Sequence, residues 1–397
     1  MIQNTKKKVC LAGKNEIAVY GLNLLTKFVN KEDICVIGWA SDDGVDTWQP
    51  SLLKAAITNN ITITTLDECY DIDGLIFLSL EFEKLLSPDK FVNAKLYNIH
   101  FSNLPAYKGM YTSALPLLND EKVGGVTLHH IDAGIDTGDI IAQLSFPIEQ
   151  TDTARDLYEK YLINSKKLFK ENISQLLSGE IVSYPQSACG SSYFSKKEID
   201  YKNLKINLWR TAEQIKNQIR AFTFPEYQVP RVLGYYVNSA KVSGKKSSAK
   251  PGTLIDVHDF YITVATIDYD LVLYRDMHYE LINAAAENDV PKALACISNG
   301  ADINHRNSKG WTPLIVASFN GSMDVVKLLI SEGVDVNKTN YKGTTPLMYA
   351  MNHYEDTSQR LVFDALLESG ANMGLRDLRG FSIKDYAVER TVSGLFE

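Results

Sequence analysis

The 397-residue sequence has no run approaching the roughly 20 apolar residues that a helix needs to cross a bilayer. Its first residues, MIQNTKKKVCLAG, are basic but turn polar at Lys14 and Asn15, so the apolar centre of a signal peptide is missing. Cysteine is sparse and odd in number: Cys10, Cys35, Cys69, Cys189 and Cys296, far apart and without a CxxC pair. That usage suits a reducing cytosol and argues against a disulfide scaffold or a zinc site. Positive charge is not in excess, with 41 Lys+Arg against 48 Asp+Glu, a net charge of -7 and a pI near 5.6. Such a chain is a poor counter-surface for a phosphate backbone. The first strand-to-helix turn, AGKNEIA, carries one glycine, so it is not a GxGxxG dinucleotide fingerprint. These absences predict a cytoplasmic protein with no membrane insertion, no nucleic-acid partner and no metal.

The remaining composition, 45% hydrophobic and 22% charged, is that of a globular chain. Its length calls for two or three domains. Short apolar runs at Val9–Ala12, Ile34–Ile37 and Leu75–Leu80 alternate with helical stretches at Ile17–Val29 and Gln49–Thr58, a βαβ rhythm that predicts an α/β domain on a parallel sheet over residues 1–185. Over 186–275, an irregular or hairpin connection (Ser191–Asp200) leads to an amphipathic helix (Leu208–Ala221). Alternating residues from Tyr235 to Val272, broken by the turn-rich GKKSSAKPG, complete a small mostly-β domain.

Residues 276–397 repeat themselves. KGWTPLIVA begins at Lys309 and KGTTPLMYA at Lys342, 33 residues apart, as do NGADIN at Asn299 and EGVDVN at Glu332. A weaker copy, SGANMG at Ser369 and RGFSIKDYA at Arg379, follows after 37 residues, which a four-residue insertion near His353–Gln359 explains. Thr312 and Thr345 are placed to cap helices, and Pro313 and Pro346 sit where no amide hydrogen is needed. The period and the G-x-TPL wording resemble about three ankyrin repeats, an all-α-type tail, although Ile315 and Met348 stand where that family usually has His.

Two segments carry chemistry. Asn98 and His100, in YNIHFSNLPAYKG, are two residues apart on a predicted strand end and so share one face. The loop DAGIDTGD, after GVTLHHI, supplies carboxylates in a sharply turning backbone. An imidazole, a carboxylate and a neutral amide are the parts of acyl transfer without a covalent enzyme intermediate. His129 and His130 have no acidic or Cys partner at metal-ligand spacing and are read as structural.

N-x-H-x-S-x-L-P-x-Y-K-G followed some 30 residues later by G-V-T-x-x-x-x-D-x-G-x-D-x-G-D resembles the 10-formyltetrahydrofolate-dependent formyltransferases, and IRAFTFP at Ile219–Pro225 is similar to a later stretch of the same family. The resemblance spans roughly residues 1–230 and implies a Rossmann-like formyltransferase catalytic domain. It implies Asn98, His100 and Asp136 as the catalytic set, with His100 the general base, Asn98 the holder of the formyl oxygen and Asp136 the residue that orients His100. It also implies 10-formyltetrahydrofolate as co-substrate, held by Phe77, Leu78, Ser79 and Leu80 with Asp132, Gly134 and Ile135. One departure is Phe101, where the family usually has Pro.

Of the family's branches, the one formylating dTDP-linked amino-dideoxy sugars for O-antigen or other surface polysaccharide fits the acidic charge and the middle domain. A 3-amino-3,6-dideoxyhexose is favoured, with the 4-amino isomers and either ring configuration left open. A methionyl-tRNA formyltransferase-like enzyme and an ankyrin scaffold with an inactive catalytic domain are the alternatives. Acceptor contacts are expected from Tyr193, Lys196, Arg220, Phe222, Phe224 and Tyr227, whose aromatic faces and cations suit a thymine ring and a pyrophosphate. The resemblance further implies a homodimer. In the repeats, an exposed Trp311 with His305, Arg306 and Tyr341 is expected to form a second nucleotide-sugar site that regulates the enzyme.

Overall fold

A computed structural model describes residues 8–390, which fall in two compact units divided between Leu204 and Lys205.

The first unit is built on a seven-stranded sheet. Its strands are β1 (Val9–Gly13), β2 (Ile34–Gly38), β3 (Thr62–Ile63), β4 (Ile76–Leu80), β5 (Lys95–His100), β7 (Val123–His130) and β8 (Ile140–Pro147), with the short β6 (Lys108–Gly109) outside it. The order is β3-β2-β1-β4-β5-β7-β8. The first five are parallel, as the βαβ rhythm predicts, and β7 and β8 add antiparallel pairs. Fully buried β1 and β4 explain why their sequences are continuous apolar runs with no alternation. Helices α1 (Asn15–Leu25), α2 (Leu52–Asn59), α3 (Leu66–Tyr70), α4 (Leu115–Leu118) and the long α5 (Ala154–Ser178) connect the strands. A Thr153–Asp156 capping box starts α5 and Gly179, in the left-handed conformation, ends it. Residues 186–204 stay with this unit because β9 (Tyr193–Phe194) pairs with β6, which places the end of the catalytic unit beyond residue 185.

Three cysteines that are distant in sequence meet here. Cys10 and Cys35 are partners in the β1–β2 register, and Cys69 on α3 brings its sulfur to 3.5 Å from that of Cys10. All three sulfurs lie within 4.8 Å of one another among apolar side chains such as Leu66, Leu75 and Phe77. Sequence spacing conceals such a cluster, because parallel strands join residues across whole βαβ units.

The second unit begins with α6 (Ala212–Phe222), opened by a Thr211–Gln214 capping box. Its apolar face, Ile215 and Ile219, packs on Val237, Ile262, Leu271 and Leu273 of an antiparallel sheet. That sheet holds β10 (Arg231–Val232), β11 (Tyr235–Val242), β12 (Leu254–Val257), β13 (Tyr261–Val264) and β14 (Leu271–Arg275), in the order β10-β11-β14-β13-β12. The repeats follow as helix pairs α7 (Met277–Glu287) with α8 (Val290–Ser298), α9 (Pro313–Asn320) with α10 (Met323–Ser331), and α11 (Pro346–Thr357) with α12 (Leu361–Glu368), then α13 (Ile383–Glu389). Thr312 and Thr345 cap as expected, accepting from the amides of Ile315 and Met348 at 3.2 Å. The four-residue insertion lengthens α11 to 12 residues against 8 in α9. Sheet and repeats are tied by buried Glu280 on α7, which accepts from the Tyr236 amide at 3.1 Å and pairs with Lys292 at 2.7 Å and Arg275 at 3.6 Å. Among the described residues, no helix is long and apolar enough to cross a membrane.

Candidate active site

The carboxyl ends of β4 and β5, with His129 of the antiparallel β7 and the loop after it, line a cavity of about 680 Å³. Strand register decides what faces it: Asn98 of β5 lies between Ser79 of β4 and His129 of β7. Side chains directly opposite on paired strands share a face, so Asn98, His100 and His129 all point the same way. The loop after β7 then brings Asp136 over them, in a left-handed conformation (φ 53°) of the kind that persists where surrounding structure holds it.

The four side chains form one network. The Asn98 amide donates to His129 Nε2 at 3.1 Å and to Asp136 Oδ1 at 3.4 Å. His129 Nδ1 lies 2.7 Å from the His130 carbonyl, which assigns the proton to Nδ1 and leaves Nε2 to accept. His100 Nε2 donates to the Tyr107 carbonyl at 2.8 Å, while Nδ1 faces Asp136 Oδ2 at 3.4 Å. The Gly109 amide donates to the same Oδ2 at 2.9 Å, and Gln186 Nε2 donates to the Asp136 and Gly138 carbonyls, both at 2.8 Å. Burial by itself would raise the Asp136 carboxyl. The neighbouring His100 and the Gly109 amide outweigh it and hold the group well below the usual carboxylate range. Asp136 is thus a fixed anion facing the Nδ1 edge of an imidazole whose Nε2 rests on the Tyr107 carbonyl.

The network assembles the three expected residues and adds His129, read as structural from the sequence. His129 and His130 do point to opposite faces, but only His129 enters the site. Its signal was the pairing of YNIH with GVTLHH as antiparallel neighbours, which spacing does not reveal. Phe101 stacks on Tyr161 with centroids 5.2 Å apart, so it anchors this loop by aromatic packing where Pro would restrict the backbone.

The residues expected to hold the folate divide. Asp132, Gly134 and Ile135 line the cavity, with Asp132 Oδ1 accepting from the Gly134 amide at 3.1 Å and the Thr137 hydroxyl at 2.6 Å. Of the strand residues only Ser79 lines it, whereas Phe77, Leu78 and Leu80 are buried within the sheet. A central strand gives its side chains to the core and keeps only backbone groups for its end, the groups expected to read the pteridine edge, and the next segment, including Phe82, Leu85 and Leu86, walls the cavity. That wall and Ile131 offer an apolar slot for a flat heterocycle, edged by backbone polar groups.

Expected acceptor contacts also divide. Tyr193 and Lys196 line the same cavity. Arg220, Phe222, Phe224 and Tyr227 belong to the second unit, where Arg220 donates to Asn217 at 2.9 Å. Phe222 and Phe224 are buried and Tyr227 is exposed, its ring 4.7 Å from that of Phe224. In the repeats, Trp311 is half-buried, not exposed as expected, because its ring packs against Phe319 and Tyr349 at 5.3 and 4.7 Å. Arg306 donates to the Thr339 carbonyl and lies 5.6 Å from the Tyr341 ring centre, and His305 stacks near His278 at 4.6 Å.

Comparison with known proteins agrees with this geometry. The formyl transferase family matches residues 75–173, the formyl transferase C-terminal domain 198–280, and ankyrin repeats in three copies 281–377. A methionyl-tRNA formyltransferase of Clostridium tetani is 32% identical over 220 residues, 50% of this chain and 69% of that protein. Among solved structures, WlaRD, a sugar 3N-formyl transferase seen with dTDP and 5-N-formyl-THF, is 42% identical with a TM-score of 0.63, over 68% of this chain and 98% of that one. An N-formyltransferase from Helicobacter canadensis, in complex with folinic acid and dTDP-3-aminofucose, is 41% identical with a TM-score of 0.63, over 68% of this chain and all of that one (100%). With its cavity, its Asn98–His100–Asp136 network and these matches, the chain belongs to the formyltransferase family and is a formyl-transferring enzyme that also carries ankyrin repeats.

Proposed function

We propose that the enzyme moves the formyl group of 10-formyltetrahydrofolate to the amine of a dTDP-linked amino-dideoxy sugar, a 3-amino-3,6-dideoxyhexose, for O-antigen or related surface polysaccharide in the cytoplasm. The observation that carries this reading is the 42% identity to a sugar 3N-formyl transferase over 98% of that chain. The tRNA enzyme matches less closely, at 32%, and the chain's net charge of -7 gives no support to tRNA binding.

The folate supplies an activated formyl carbon. A C–N bond to the sugar amine forms, the bond to folate N10 breaks, and the amine's proton ends on N10. His100 holds that proton in transit at Nδ1, where Asp136 stabilises the cation. Asn98 exchanges its long 3.4 Å contact with Asp136 for the formyl oxygen and stabilises the developing oxyanion. Asp132, Gly134, Ile135 and the Phe82–Leu86 wall hold the pteridine. Tyr193 and Lys196, at the cavity, serve the acceptor nucleotide. Tetrahydrofolate release measured with dTDP-3-amino, dTDP-4-amino and UDP-4-amino sugars and with methionyl-tRNA tests the reading. Turnover with methionyl-tRNA alone would overturn it.

Two finer parts belong to the same reading. A second nucleotide-sugar binds the repeats near His305, Arg306, Trp311 and Tyr341, supported by cations 5.6 Å and 5.5 Å from the Tyr341 and Trp311 ring centres. Titration of dTDP into the full chain should find two sites, and one after Trp311→Ala. The protein acts as a homodimer, supported by the edge strand β12, which exposes Leu254, Ile255 and Val257. Sedimentation finding only monomers would remove that part.

A further inference from the structure

One end of the cavity takes no part in the chemistry above. In the order β3-β2-β1-β4-β5 the chain runs outward from β1 to one side and resumes at β4 on the other. The crevice beyond the carboxyl ends of β1 and β4 is therefore the topological switch point, where open α/β sheets take ligands. Glu81, the first residue after β4, stands there with a left-handed backbone (φ 57°) and lines the cavity. A side chain in that conformation is costly, and a glycine would make the same turn without strain.

The Glu81 carboxylate accepts from the Tyr158 hydroxyl of α5 at 3.0 and 3.2 Å and from Asn15 Nδ2 at 3.5 Å. Asn15 is itself left-handed (φ 62°). Lys14 and Glu83, paired with each other, face the same end. Burial pushes the Glu81 carboxyl up to about 7, against the pull of Lys14, Tyr158 and Asn15 and with a further rise from Glu83. A glutamine would satisfy the Tyr158 and Asn15 donors without a desolvated charge. A desolvated acid on strained backbone at a cavity wall is a candidate to receive a donor from a ligand.

The β4–β5 register ends with Leu80 opposite Ile99, and Glu81 and His100, the residues that follow these two, line the same cavity. A sugar ring that presents its amine to His100 in that cavity can turn the neighbouring hydroxyl to Glu81. The Tyr158 ring is buried beside Trp48 and Phe101, with centroids at 5.9 and 6.0 Å, which fixes the hydroxyl that holds Glu81. We propose that Glu81, held by Tyr158 and Asn15, is a hydroxyl-binding subsite that accepts from the ring hydroxyl adjacent to the acceptor amine and selects acceptors bearing it. This rests on the amino-sugar reading above.

The test compares wild type, Glu81→Gln and Tyr158→Phe on two acceptors, a dTDP-amino sugar and its analogue lacking the hydroxyl next to the amine. A hydrogen bond to a charged group corresponds to roughly 10- to 100-fold in kcat/KM. Glu81→Gln should lose that factor on the hydroxylated acceptor, little on the deoxy one, and leave the KM for formylfolate unchanged. Tyr158→Phe, which keeps the ring and loses the orienting hydroxyl, should lose a smaller factor with the same selectivity. Equal losses on both acceptors, or a raised formylfolate KM in Glu81→Gln, would overturn the subsite while leaving the sugar reading intact. If wild type turns over neither sugar yet formylates another amine, the sugar reading falls and the subsite falls with it.

Discussion

The cavity and the ankyrin turns use the same residue types to opposite ends. Around the cavity, Asp136 meets His100, His129 and the Gly109 amide, partners from β5, β7 and the segment after β5. In the repeats, the corresponding acceptors serve their own turns. Asn307 accepts from the amides of Lys309 and Trp311, Asn340 from Lys342 and Thr344, and Asp377 from Arg379 and Phe381, all at 2.9–3.0 Å. The His that ankyrins usually carry after TPL is absent, and Asn340 donates instead to the Tyr349 hydroxyl at 3.0 Å. A polar side chain satisfied by backbone within four residues stabilises a turn. One satisfied by distant side chains beside a cavity can exchange those partners for a substrate.

This contrast sets the order of expected effects. His100→Asn should lower turnover by roughly two orders of magnitude or more, with the unfolding midpoint unchanged. Near-normal turnover would place His100 among the merely structural residues. Asp136→Asn should cost about 10- to 100-fold, since the imidazolium loses its counter-charge. Because the Asp136 carboxyl is held low, its stabilisation is present above the unfolded carboxylate range near pH 4 and is lost as pH falls through the folded value. Wild type should therefore lose more stability than Asp136→Asn below pH 4 in a denaturant titration. A parallel pH dependence in the two proteins would contradict the electrostatic assignment.

His129→Leu should reduce turnover by about 10-fold, less than the first two, because it positions Asn98 and touches no reacting atom in the scheme. Glu81 gives the opposite pH sign. Its raised carboxyl contributes stability that is full below about pH 4.5 and lost as pH rises through about 7. Glu81→Gln should accordingly gain on wild type by on the order of 1–2 kcal/mol between pH 5 and 8. The smallest effect belongs to the repeats. Thr312→Ala removes a buried cap and should lower stability by about 1 kcal/mol while leaving turnover unchanged. A large loss of turnover there would mean that the repeats support catalysis directly.

Much of this was legible in advance for definite reasons. The repeats showed themselves because their caps, turns and helix lengths are local, down to the four residues added to α11. Asn98 and His100 were visible as a pair because a strand alternates faces, and Asp136 because of its wording in the loop. His129 was missed because its role comes from lying opposite Asn98 across two antiparallel strands. That Phe77, Leu78 and Leu80 give their side chains to the core was not legible, because a buried strand and the cavity wall beside it read alike as apolar sequence. Trp311 was expected to be exposed because the rings that cover it, Phe319 and Tyr349, lie farther along the chain.

The sequence by itself determined the division into α/β, β-rich and repeat segments, the helix starts and the chemical kind of the site, because periodicity, caps and turn residues act over a few positions. Only the tertiary structure decided that Asn98, His100, His129 and Asp136 form one network, that Cys10, Cys35 and Cys69 meet, and that Glu81 meets Tyr158 and Asn15 at the cavity wall. Each of these depends on strand order and register, which are set by pairings between segments tens of residues apart and leave no local mark on the residues they join.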